Sequence, residues 1–62
     1  MTSYFLIIGT RSCVVGSINE AAEAYVELTA DRAAPPVGVV MTRDHRRATV
    51  AQIQPNGTVV EA

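Results

Sequence analysis

Arg43, His45, Arg46 and Arg47 fall within five consecutive positions, interrupted only by Asp44. Guanidinium groups hold carboxylates and phosphates in a two-pronged fork, so this cluster can clamp an anion or a partner's acidic surface. A hairpin turn kept in water has the same composition. All five basic residues of the chain are arginine, and there is no lysine. Residues 1–31 set Arg11 against four carboxylates, for −3, and residues 32–62 set four arginines against Asp44 and Glu61, for +2. Sites for single-stranded nucleic acid normally put stacking aromatics beside their cations. Tyr4, Phe5 and Tyr25 are the aromatic residues here, and Tyr25 belongs to a helix core. Nucleic-acid binding through Arg43, Arg46 and Arg47 is therefore the second choice.

A second set is acidic. Glu20, Glu23, Glu27 and Asp31 recur at helical spacing and form a stripe that can dock on an arginine-rich partner or imitate the phosphate spacing of a nucleic acid. The same stripe serves equally as the wet side of a helix. Cys13 and His45 supply the types of a thiolate–imidazole pair, but they come from different turns and strands with no third group to orient them. One cysteine and one histidine give no metal-ligand spacing, and a single cysteine closes no internal disulfide. Gly9 and Gly16 fit neither glycine-rich phosphate fingerprint, and no lysine follows them. Asn56-Gly57-Thr58 matches a glycosylation sequon, but Asn-Gly is first of all a hairpin turn. The expectation is a non-enzymatic protein with no cofactor and no metal.

The chain has 62 residues, 48% hydrophobic and 18% charged, with a net charge of −1. That bounds it to a single domain over 1–62 and excludes a disordered tail. The charge balance argues against coating nucleic acid or an anionic membrane. The apolar run Tyr4-Phe5-Leu6-Ile7-Ile8 is far short of the roughly 20 residues that cross a bilayer. A cytoplasmic protein without a membrane partner is expected.

The elements that must position these groups follow from pattern. Tyr4–Ile8 reads as a buried strand ending at Gly9. Gly9-Thr10-Arg11-Ser12 reads as a turn, and Cys13–Val15 as a short returning strand. Ser17 followed by Glu20 forms a capping-box signature for a helix over 17–31. Its apolar side carries Ile18, Ala21, Ala22, Tyr25, Leu28 and Thr29. Pro35-Pro36 ends it, since the residue before a proline avoids the helical region. Strands follow at Val37–Thr42 and Ala48–Gln54, and Pro55-Asn56-Gly57 turns into a last strand at Thr58–Val60. The order is β(β)αβββ, an α+β fold: a small antiparallel sheet with one amphipathic helix packed on one face.

One helix covers one face. Tyr4, Leu6 and Ile8 point one way and Phe5 and Ile7 the other, and Val39 and Met41 likewise oppose Val40. Both sides of these strands are apolar, and each large side chain buried is worth roughly 1.5–3 kcal/mol. In so short a chain the second face is expected to meet another protein, most simply a second copy in a homodimer, with Phe5 and Ile7 as self-association residues.

Two stretches carry a resemblance. Ser17-Ile18-Asn19-Glu20-Ala21-Ala22-Glu23-Ala24-Tyr25, then Val50-Ala51-Gln52-Ile53-Gln54-Pro55-Asn56-Gly57-Thr58-Val59, resemble short proteins of unassigned function scattered through bacterial phages and mobile elements. The resemblance covers about half the chain and implies no catalytic residues. Where those proteins tend to place an aromatic after the last valine, this chain has Val60. Size and layout also resemble phage-encoded anti-CRISPR proteins, which implies a non-enzymatic inhibitor that obstructs a macromolecular complex through an acidic or sheet surface.

Overall fold

The computed structural model describes residues 3–62. Its elements are β1 (Tyr4–Ile8), β2 (Arg11–Val15), α1 (Ile18–Leu28), β3 (Gly38–Thr42), β4 (Thr49–Ile53) and β5 (Val59–Glu61). Among the described residues these make one five-stranded sheet in the order β2-β1-β3-β4-β5, with every neighbouring pair antiparallel and α1 on one face. The α+β class and the β-β-α-β-β-β order match the sequence reading.

Length matching explains the crossover. Eleven helical residues rise about 16 Å, and a five-residue strand spans nearly the same distance. Strand β2 ends level with Tyr4, α1 carries the chain back along the sheet, and β3 starts level with Ile8. Strands β2 and β3 thus run parallel to each other on either side of β1. The core lies between α1 and the sheet: Leu6, Ile8, Val15, Val40, Ala51 and Ile53 from strands, Ala21 and Tyr25 from the helix. Ala21 is fully buried and lets the helix axis come close to the sheet.

Tyr25 fixes the far end of the helix. Its ring is buried, and its hydroxyl donates to the Pro36 carbonyl at 2.8 Å. The ring lies on the backbone of Gly38, where a Cβ would stand 2.7 Å from its Cδ1. Gly38 therefore makes the seat for the ring and starts β3 beneath it.

Element ends differ from the sequence reading by one residue at β3, which starts at Gly38 rather than Val37, and at both ends of β4, which spans Thr49–Ile53 rather than Ala48–Gln54; α1, β2 and β5 differ as follows. The sequence pattern predicts a helix over 17–31, but α1 stops at Leu28: Thr29 caps it at φ −111° and ψ 9°, and the next N–H, of Ala30, turns to the Glu27 carbonyl three residues back (3.5 Å) and does not continue the i→i−4 ladder. Asp31 consequently lies beyond the helix, in a turn. Strand β2 begins at Arg11, not Cys13, since Gly9 has φ 61° and reverses the chain in two residues. The last strand is shifted by one residue, Val59–Glu61 for Thr58–Val60. Gly57 at φ 91° closes its turn, with the Gly57 N–H donating to Gln54 O and the Thr58 N–H to Asn56 Oδ1.

At the helix start the expected capping exchange forms with a shift. Ser17 Oγ accepts from the Glu20 N–H (3.1 Å), and Glu20 Oε2 reaches past Ser17 to accept from the Gly16 N–H (3.1 Å).

Candidate interaction site

The sheet face turned away from α1 is apolar and has no second layer among the described residues. The register aligns Val14, Phe5, Met41 and Thr49 in one row, and Ser12, Ile7, Val39, Gln52 and Val60 in the next. Phe5, Ile7, Val39 and Met41 are half-buried by their neighbours in the sheet, while Val14 and Val60 keep 51% and 46% of their surface exposed. Phe5 and Ile7 lie on this face, as the sequence reading placed them. Alternation also indicated Val39 and Met41. Val14 and Val60 were missed as members, because only strand order and register bring the two edges into the same rows.

Arg43 borders the face. Its guanidinium carbon lies 5.6 Å from the centroid of the Phe5 ring, and Nη1 donates to Ser3 Oγ at 3.4 Å. Stacking of a guanidinium on a ring is worth about 0.5–1 kcal/mol at such an exposed site. Arg43 is thus tied to the apolar face, while His45, Arg46 and Arg47 remain exposed in the β3–β4 turn.

That turn is organised by a carboxylate. Asp44 Oδ1 accepts from Thr42 Oγ1 (2.9 Å) and from the backbone N–H groups of Arg46 (3.0 Å) and Arg47 (3.3 Å). Thr42 Oγ1 in turn accepts from the Ala48 N–H (3.0 Å), and Arg47 adopts φ 47°. The Thr42 hydroxyl first, and then the two backbone donors and the nearby His45, hold the Asp44 carboxyl below its ordinary value of 3.8, against desolvation, which raises it. The arginine cluster therefore surrounds an internal negative charge that closes the hairpin.

Glu20, Glu23 and Glu27 are exposed on α1, and Asp31 is exposed in the turn after it. Glu20 is occupied with Gly16. Cys13 is half-buried on β2 and faces α1, whereas His45 sits in the β3–β4 turn, so β1 lies between the strands that carry them. Among the described residues no three His, Cys, Asp or Glu side chains gather as metal ligands, and no helix is long and apolar enough to cross a membrane. No protein-family model, curated protein or solved structure matches the chain.

Proposed function

We propose that this chain is a non-enzymatic protein-interaction module that pairs with a second copy of itself through the open sheet face, and acts by occupying a macromolecular surface. The observation that carries the reading is the apolar face of Val14, Phe5, Ile7, Val39, Met41 and Val60, with no charged side chain in its two central rows. A two-fold contact lays the same apolar rows on each other and leaves Arg43 at the border, so no unpaired charge is buried. Five strands about 4.8 Å apart make a face about 20 Å wide. With its loop rim such a face reaches the low end of stable interfaces, about 600 Å² per partner. Obstruction of a macromolecular complex, as the layout's resemblance to anti-CRISPR proteins implies, is the concrete form of this activity, and the exposed Glu23 and Glu27 are then the polar contact.

The nucleic-acid alternative has less support, since Arg43 lies over Phe5 and Asp44 sits inside the basic turn. Light scattering tests the reading. The expected result is twice the mass of one chain at tens of micromolar, reduced to one chain by Ile7→Lys and insensitive to salt. A single-chain mass at all concentrations overturns it. Binding of DNA or RNA that weakens steeply with salt would favour the alternative.

A further inference from the structure

Strand β2 is one of the two edges of the sheet. It pairs with β1 without a bulge from Tyr4↔Val15 to Ile8↔Arg11, so it is regular for its whole length, and among the described residues its outer backbone groups face no neighbouring strand. Edges are commonly blunted by charged side chains, proline or a bulge, and Arg11-Ser12-Cys13-Val14-Val15 carries one such device, Arg11 at its start, leaving Ser12 to Val15 without any. Beside this edge, on the helix side, lies a cleft of about 220 Å³ lined by Leu6, Ile8, Cys13 and Leu28, with Arg11 and Ser12 completing it. Its origin is the path of α1. The helix starts next to Val15 and ends where Tyr25 sits on Gly38, two strands away, so the corner above Ile8 and Cys13 keeps only Leu28 as a wall. Leu28 is 39% exposed there, although its helical spacing assigned it to the core.

Small-molecule sites usually enclose about 300–1,000 Å³, so this cleft suits one side chain better than a whole metabolite. We propose that β2 takes an extended peptide as a sixth strand, with one large apolar side chain in the cleft and a carboxylate on Arg11. In strand addition, main-chain hydrogen bonds supply affinity and a pocket for alternate side chains supplies specificity. Cys13 and Arg11 are two residues apart and share the helix-side face of β2. An antiparallel peptide residue opposite Cys13 therefore fills the cleft, and the residue two positions later meets the guanidinium. The motif is apolar–any–acidic, read from N to C.

A second copy does not satisfy it. Two β2 strands paired about Cys13 set Val15 of one opposite Arg11 of the other, with no carboxylate in reach. Strand β5 of a second copy carries Val59 and Glu61 on its helix side, but with that side on the cleft it runs parallel to β2 and brings Glu61 to the apolar end. This surface is separate from the open sheet face and does not depend on the dimer.

The test is selection of displayed random octapeptides on the full chain. Leucine, methionine or phenylalanine should be enriched, followed two positions later by aspartate or glutamate. Binding of the synthesised winner should fall at least tenfold on N-methylation of the amides that face β2, and on Leu28→Asp. On the exposed Arg11→Glu variant, checked for folding by circular dichroism, selection should replace the acid by lysine or arginine. The Ile7→Lys chain should still take the peptide, which separates this result from the fate of the dimer. No enriched motif, a winner indifferent to N-methylation, an unchanged preference on Arg11→Glu, or a dimer cross-linked through Cys13 overturns the proposal.

Discussion

Gly38 and Tyr25 show how one missing methyl shapes the molecule. The ring is fixed at both ends, by packing on Gly38 within the buried core and by the hydrogen bond to Pro36, so it has no room to yield. Gly38→Ala should cost about 1–3 kcal/mol through overpacking, and Tyr25→Phe about 0.5–1.5 kcal/mol through the lost hydrogen bond. Urea titration of both variants checks this, and an unchanged midpoint for Gly38→Ala would mean the ring moves freely. Asp44 makes a second prediction at this scale. Its folded-state pKa is depressed, so its support of the hairpin is complete above the ordinary 3.8 and is lost as pH falls through the lower folded value. The amide resonances of Arg46 and Arg47 should titrate with a midpoint below 3.8, and a midpoint at or above it would contradict the hydrogen bonding described.

Helix α1 is short and marginal alone, and depends on its start and on the sheet beneath it. Ser17 Oγ and Glu20 Oε2 each satisfy a backbone donor at the first turn. Ser17→Ala should lower stability by about 1 kcal/mol, while Glu23→Ala, exposed and with no capping role, should change it little. Thermal melts of the pair distinguish the two sites, and equal losses would show that charge, not capping, governs the helix. The early stop at Leu28 has a cause sequence pattern does not encode. Residues 30–33 would propagate a helix, and Pro35 disfavours it only at Ala34, yet the chain must fold back earlier to bring the Pro36 carbonyl to Tyr25.

For the whole molecule, the proposed pairing through the open face predicts a thermodynamic signature. An association that binds only folded chains raises the melting temperature with protein concentration. A hundredfold increase in concentration should raise it by several degrees for the native chain and leave Ile7→Lys unmoved; a native melting temperature independent of concentration would remove the dimer. Arg43→Gln should weaken the association only slightly, since its stacking on Phe5 is worth about 0.5–1 kcal/mol and lies at the border.

Sequence alone determined the class, the element order and the two-sided apolar character of β1 and β3, because side-chain alternation, capping and turn chemistry are local properties of neighbouring residues. It also placed Phe5 and Ile7 on the face opposite Leu6 and Ile8. Only tertiary structure decided that the helix covers the Leu6 side, that Val14 shares a row with Phe5 and Val60 with Ile7, and that β2 is an edge beside a cleft. Those facts depend on strand order and register, which arise from contacts between residues far apart in the chain. The basic turn shows the same division: its arginines stand together in the sequence, but Arg43 goes to Phe5 because the strand pairing of Phe5 with Met41 brings that ring beneath it.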